Sequence, residues 1–394
     1  MRYLLFMQNK RRTGEIIKLR TGDESYSAYV PKPLPPVPSL GLEPLYPLLD
    51  EANLALGRLD GMSTLIPDAS LFLYMYVRKE AVLSSQIEGT QSSLSDLLTY
   101  ELNDLPGAPV NDVEEVSNYV AAMNHALRRL KELPLSLRLI REMHGILLSR
   151  GRGQRLNPGE FRTSQNWIGG TRPGNAAYVP PPPDRLLECL GDFEKFLHDR
   201  RHRLPVLVKA ALAHVQFESI HPFLDGNGRL GRLLIPLILC VDGALRSPLL
   251  YLSLYFKTHR KLYYDHLTLV RETGDWEEWI AFFLKGVIET ANQATETAQK
   301  ITRLFKADDE KIKRLGKVSG SVLRLHAYLQ KQPVSDTGNA VKGSGLTLPT
   351  VIRAFEELEG LGMVRETTGR ERKRLYAYVA YLDLLSQGTE PFKD

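Results

Sequence analysis

The segment VLVKAALAHVQFESI, residues 206–220, is apolar almost all the way round a helical wheel. A helix with that pattern has no face for water and has to be enclosed by other helices. A second such run extends from Arg229 to Val241, with Pro236 expected to kink or interrupt it. Between them lies the polar, glycine-bearing stretch HPFLDGNG. Two buried helices joined by a polar loop put that loop at the centre of a mainly helical core. Further helices are signalled around them. Ser136 can cap one that carries Leu139, Ile140, Met143, Ile146 and Leu147. Asn111 can cap another, with Val113, Val116, Val120 and Met123 on one face, and Asp68 a third through LFLYMYVRKEAVLSS. Trp276, Trp279, Phe282 and Phe283 fall at core spacing. His214 and Glu218, four apart on the first buried helix, read as a structural pair.

The ends of the chain have a different texture. Residues 1–44 are poor in helix pattern, contain PKPLPPVPSL, and are expected to form an extended or polyproline-like arm. The stretch FRTSQNWIGGTRPGNAAYVPPPP places β-formers around Gly169 and Gly170 and predicts a β-hairpin over 161–179, followed by an extended loop. Beyond residue 300, KADDEKIKRLGK reads as a linker or exposed helix. The tail then orders two helices, SVLRLHAYLQ and LPTVIRAFEELEGLG, ahead of two short strands, MVRET and RLYAYVA, an order similar to a small winged-helix domain. Its basic turn, Arg370, Arg372, Lys373 and Arg374, could meet DNA phosphate, although Glu356, Glu357 and Glu359 dilute the positive field. A length of 394 residues suits two or three such units. They are expected at 45–110 (helical extension), 111–300 (core) and 301–394 (linker and tail domain).

A net charge of +5 is too mild to argue for nucleic acid on its own. The most apolar run, Leu233 to Val241, is well short of a membrane span, and the N-terminal stretch MRYLLFMQNKRR has its basic cluster on the wrong side for a signal peptide. The two cysteines, Cys189 and Cys240, stand in no metal-ligand spacing and suit a reducing compartment. A cytoplasmic protein is the expectation. The chain has no GxxxxGK[ST] loop, no protein-kinase motif set and no HExxH site.

The loop 221–232, HPFLDGNGRLGR, gathers an imidazole, a carboxylate, an amide and two arginines. Gly226 and Gly228 let backbone N–H groups approach an anion, and the helix that follows favours negative charge at its N-terminus. Arg229 and Arg232 are three apart and share a helix face, so both can grip one polyphosphate. Asp225 is a hard oxygen ligand suited to Mg²⁺. His221 can accept a proton near neutral pH.

This segment is similar to the signature of the Fic family, His-x-Phe-x-Asp/Glu-Gly-Asn-Gly-Arg-x-x-Arg, at every fixed position. The resemblance extends from about residue 45 to about 290. It implies transfer of AMP from ATP to a protein Ser, Thr or Tyr hydroxyl. By the same resemblance His221 is the general base, Asp225 holds Mg²⁺, and the amides of Gly226 to Gly228 with the Asn227 side chain receive the α-phosphate. Arg229 and Arg232 hold the outer phosphates, with Leu230 and Gly231 part of the same nucleotide-binding segment, while Phe223 points into the core. The 161–179 hairpin corresponds to the family's flap, which aligns the target segment by strand pairing. Upstream, Ser84-x-x-x-Glu88-Gly89 resembles the family's inhibitory signature, which implies a Glu88–Arg232 pair where the ATP γ-phosphate belongs. Tyr263 and Tyr264 are candidates for the adenine wall and equally for the core. Self-modification, a homodimer and DNA contact through the tail stay open. Two other functions also stay open: a phosphotransferase of the same fold, whose members carry a lysine where this chain has Gly228, and a DNA-binding regulator whose core senses nucleotide.

Overall fold

The computed structural model describes residues 12–65, 69–103, 110–201, 203–369 and 374–391. Asp68 and the basic turn at Arg370, Arg372 and Lys373 lie outside the described residues.

The arm opens on a β-hairpin: β1 (Glu15–Thr21) pairs antiparallel with β2 (Glu24–Val30) in the register Glu15 to Val30 and Thr21 to Glu24. The arm expected to be extended or polyproline-like is extended here as a paired hairpin. The two-residue connection, Gly22-Asp23 with Gly22 at φ +60°, is a turn chemistry that closes hairpins tightly.

The helical body follows as α1 (Tyr46–Leu65), α2 (Ala69–Ile87), α3 (Leu94–Asn103), α4 (Val110–Arg129), α5 (Leu137–Leu147), α6 (Pro183–Leu197), α7 (Val206–Ile220), α8 (Asn227–Val241), α9 (Ser253–Thr258), α10 (Arg260–Thr273) and α11 (Trp276–Lys313). Ser136 caps α5 by accepting from the Leu139 amide at 3.4 Å. α4 starts at Val110, so Asn111 lies inside it rather than ahead of it. α7 is buried on all sides, as its sequence requires, and α8 is buried from Asn227 to Leu239 apart from Gly228. Pro236 does not interrupt α8. α1 lies along α11, and α7 packs on α8 at the centre. α11 runs unbroken through residue 300 for 38 residues, about 57 Å at 1.5 Å per residue, so KADDEKIK continues a helix.

The tail holds α12 (Ser319–Lys331), β3 (Val334–Asp336), α13 (Thr337–Ser344), α14 (Leu348–Gly360), β4 (Val364–Glu366), β5 (Leu375–Tyr378) and α15 (Val379–Ser386). Its strands form one antiparallel sheet in the order β3-β5-β4. The two expected helices and two strands are present, with β3, α13 and α15 in addition. The Asp336 side chain caps α13 through the Asn339 amide. Phe355 stacks on Tyr376 at 4.0 Å and fixes α14 to the sheet, while the Tyr378 hydroxyl donates to Asp308 at 2.7 Å and ties the sheet to α11.

The 161–179 segment is not a regular hairpin. Its two limbs meet in a single bridge, Ile168 with Tyr178. Gly169 and Gly170 both sit at positive φ, and the single-turn helix Pro173–Asn175 follows, so neither limb can extend its ladder. The second limb is covered by the arm: the Tyr29 amide donates to Val179 at 2.9 Å, and Arg172 pairs with Glu24 at 3.0 Å.

Candidate active site

His221 ends α7 in the left-handed region at φ 48°, its amide still donating to Phe217 at 2.9 Å. That turn throws the chain out of α7 and brings it back at Gly226, φ +75°, which opens α8. Phe223 fills the inside of the turn and is fully buried, stacked on His144 at 3.7 Å with the planes 9° apart. Asn227 holds the turn shut. Its Oδ1 accepts from the Phe223 amide at 2.9 Å, and its Nδ2 donates to the Phe223 carbonyl at 2.8 Å. The Asn227 side chain, expected in the anion hole, thus also braces the loop from inside, with one of its two N–H donors engaged.

His144 and Arg162 complete the brace, and neither stands out in the sequence. The Gly159 amide donates to His144 Nδ1 at 2.8 Å, and His144 Nε2 donates to the Asp225 carbonyl at 3.0 Å. Burial pushes the His144 imidazole down to about 4, so it holds this tautomer without a charge. Arg162 donates to the carbonyls of His221 (2.9 Å) and Pro181 (2.6 Å), tying the flap's base to the loop. On the flap, Asn166 donates to the Phe223 carbonyl at 3.1 Å, and Trp167 and Ile168 stay partly exposed beside the loop.

His221 Nδ1 is buried without a hydrogen-bond partner. Burial, with Arg271 and Arg162 nearby, depresses its pKa to about 3. The imidazole is therefore neutral at pH 7 with capacity to take a proton, and an incoming polyanion would raise its basicity.

The two arginines behind the loop are both engaged. Arg229 Nη1 donates to Glu115 of α4 at 2.9 Å, and Arg152 Nε donates to the other oxygen of Glu115, also at 2.9 Å. Arg229 Nη2 stands 3.7 Å from Asp225, and its Nε is buried without a partner. Arg232 Nε donates to Ser84 Oγ at 2.9 Å, and Nη2 to the Ser84 carbonyl (3.0 Å) and to Glu88 Oε1 (2.6 Å). Burial opposes a charged Glu88, but Arg232, with Arg229 and His221 beyond it, outweighs that effect and holds the carboxyl below its ordinary value. Gly228 makes room for this contact, since a Cβ there would lie 2.3 Å from Glu88 Oε1. Ser84 and Glu88 thus meet Arg232 as the upstream motif implies; Gly89 follows α2 at φ +99°.

Other expectations separate. Leu230 is fully buried, and its amide donates to the Gly226 carbonyl within the helix. Gly231 packs against Glu218, where a Cβ would lie 2.3 Å from the carboxylate. Both are packing positions without an atom free for nucleotide. Tyr263 is a core aromatic: its hydroxyl donates to His214 Nε2 at 2.9 Å, while His214 Nδ1 donates to the Gly231 carbonyl at 3.1 Å. His214 and Glu218 are therefore not a pair. Glu218 is buried with Oε1 unpartnered, its pKa raised to about 7 by burial against the pull of Arg232. Tyr264 is exposed, close enough to Glu88 and Arg232 for their charges to bear on its hydroxyl. Among the described residues no group of three or more His, Cys, Asp or Glu side chains could hold a metal ion, so Asp225 is the single carboxylate the loop offers. Mg²⁺ often binds through one carboxylate completed by phosphate oxygens and water, and Asp225 fits that mode. No helix among the described residues is long and apolar enough to cross a membrane.

The braced turn thus sets His221, Asp225 and the N-terminus of α8 around one small cavity. Two stretches of the chain match family models: residues 46–128 the one described as Fic/DOC family N-terminal, and residues 134–239 the one described as Fic/DOC family. The chain is 35% identical over 179 residues, 45% of this chain, to the Protein adenylyltransferase Fic of Aedes aegypti, covering 33% of that protein. It is 30% identical over 210 residues, 52% of this chain, to the protein of the same name from Drosophila grimshawi, covering 40% of it. The chain thus spans well under half the length of these curated relatives. Its fold is similar to a Fic family protein from Desulfovibrio desulfuricans, with a TM-score of 0.55 and 21% identity over 84% of this chain and 96% of that one.

Proposed function

We propose that this chain is a protein adenylyltransferase, moving AMP from ATP to a Ser, Thr or Tyr hydroxyl, and that Glu88 holds it in check. The observation that carries this reading is the position of Glu88. Its carboxylate sits on Arg232 inside the same small cavity as His221, Asp225 and the start of α8. That cavity measures about 120 Å³, against roughly 300–1,000 Å³ for typical small-molecule sites. The curated relatives carry the same activity in their names.

In this reading the target hydroxyl attacks the α-phosphorus. The new O–P bond forms as the bond to the β-phosphate oxygen breaks, pyrophosphate leaves, and His221 takes the hydroxyl proton. Backbone amides at the α8 N-terminus and the unpartnered Nε of Arg229 receive phosphate oxygens. Asp225 would hold Mg²⁺, which supplies neutralisation of phosphate charge when bound. The exposed Trp167 and Ile168 limb of the flap would align the target segment beside His221. The absence of a side chain at Gly228 favours attack at the α-phosphate over a kinase-like use of the nucleotide.

The test is label transfer in lysate from ATP labelled separately at the α and γ positions. Transfer from the α position alone is expected. It should drop by about 10²–10⁴-fold in His221→Ala, the range general-base assistance covers. Transfer from the γ position, or unchanged turnover without His221, would overturn the reading.

A further inference from the structure

The last turn of α2 is held on two sides. Ser84 and Glu88 lie on one face, against Arg232. Gln86 lies two residues from each and so points to the other face, about 160–200° round the helix. There it is fully buried, and its amide is fully used. Nε2 donates to the Thr389 carbonyl at 2.8 Å and to the Ser92 carbonyl at 2.9 Å, and Oε1 accepts from Lys257 Nζ at 2.7 Å. Lys257, on α9, also donates to the carbonyls of Gly388 (3.4 Å) and Glu390. Residues 387–391, which follow α15 at the end of the tail unit, are thereby joined to the inhibitory helix through one amide and one ammonium. The tail turn is itself shaped for the place. Gly388 is at φ +81°, where a Cβ would lie 2.7 Å from Leu254 Cδ1, and Thr389 is buried and donates back to the Ser386 carbonyl from both N and Oγ1.

We propose that this C-terminal segment is a second latch on the inhibitory helix, so that the tail unit sets how firmly Glu88 occupies Arg232. The proposal rests on the reading of Glu88 as inhibitory. Its logic is mechanical. The first latch, the ion pair, competes directly with nucleotide charge; the second is out of nucleotide's reach and answers only to movement of the tail unit. A ligand or partner that draws α15 and residues 387–391 away would take the Thr389 carbonyl from the Gln86 amide and the Gly388 and Glu390 carbonyls from the Lys257 ammonium, leaving Gln86 only Ser92 and Lys257 as partners. The last turn of α2 would then open more often, and Glu88 with it.

The test uses the full chain and measures α-label transfer in wild type, Glu88→Gly, Gln86→Met and Gly388→Val, with Glu88→Gly/Gln86→Met as the double variant. Hydrogen exchange over residues 80–92 reports helix opening directly. Gln86→Met and Gly388→Val are each expected to raise transfer roughly tenfold over wild type, the change in an opening equilibrium made by losing a hydrogen bond of about 1.4 kcal/mol. Both should speed exchange over 80–92, and Gln86→Met should add nothing in the Glu88→Gly background. If Glu88→Gly raises transfer while both latch variants match wild type in rate and exchange, the latch is wrong and the inhibitory reading stands. If Glu88→Gly itself fails to raise transfer, the inhibitory reading falls, and the latch with it. A further gain in the double variant would show that Gln86 acts elsewhere, which also overturns the proposal.

Discussion

Two carboxylates from two different helices meet the two arginines at the start of α8, and they do so on different terms. Glu115, on α4, is 2% exposed and is held by both Arg229 and Arg152. Glu88, at the end of α2, keeps 37% of its side-chain surface exposed and has one arginine. A buried carboxylate with two cationic partners is part of the frame, because removing it strands a charge that water cannot reach. A partly exposed carboxylate with one partner can leave, because water can take it back. In the proposed reading the contrast separates a brace, Glu115, from a plug, Glu88, at the start of α8, and sequence spacing alone cannot make that distinction.

The largest expected effect is on rate, at the plug. Glu88→Gly should raise α-label transfer on the order of 10³-fold at saturating ATP, within the range that correct positioning of reactants commands. Equal initial rates in the two proteins would mean that Glu88 is no more a plug than Glu115. The next effect is on stability, at the brace. Glu115→Ala leaves Arg229 buried beside an empty acceptor position and should cost about 3–5 kcal/mol. Glu88→Gly should cost only about 1–2 kcal/mol, since Arg232 keeps both its Ser84 contacts. Thermal melts of the two variants should therefore separate, with Glu115→Ala lower. Coincident melts would erase the distinction.

The Glu88–Arg232 contact was legible in the sequence and the Glu115–Arg229 contact was not, for a physical reason. Ser84, Glu88 and residues 221–232 form local patterns, because one turn of helix and one loop need their residue types at fixed spacing. Glu115 meets Arg229 from 114 residues away, and no local spacing encodes it. His144 and Arg162 are likewise long-range braces, reading in sequence as an ordinary helical histidine and an ordinary loop arginine. The all-round apolar character of residues 206–220 placed the central helix correctly, while Tyr263, equally eligible for pocket or core, was resolved only by its contact with His214. The β1–β2 hairpin did carry a local signal, Gly22-Asp23 between EIIKLRT and ESYSAYV, obscured by the proline run that follows.

The smallest effect tests whether exposure or helix identity makes a carboxylate releasable. Glu80 lies on the same helix as Glu88, two turns earlier, but is fully enclosed, accepting from Ser253 Oγ and from the Tyr119 hydroxyl at 3.3 Å, with Oε2 unpartnered. Burial raises its pKa to about 7, although Ser253 and Arg232 pull it down. A carboxyl whose folded pKa lies above its unfolded value stabilises the fold through its neutral form. That contribution is complete below the unfolded value, near 4.5, and is lost as pH rises from there through the folded value near 7. Glu80→Gln fixes the neutral shape. Its stability relative to wild type should be nearly flat below pH 4.5, should rise by about 2 kcal/mol between pH 5 and pH 7, at up to 1.36 kcal/mol per pH unit while only the unfolded chain is ionised, and should level off above pH 7. Comparing the two proteins at each pH cancels the histidines common to both. Urea titrations at pH 5, 6, 7 and 8.5 measure it, the last marking the plateau. A difference that stays constant across that range would place Glu80 ionised beside Arg232 throughout, as Glu88 is, and would make position on the helix, not exposure, the property that the two carboxylates share.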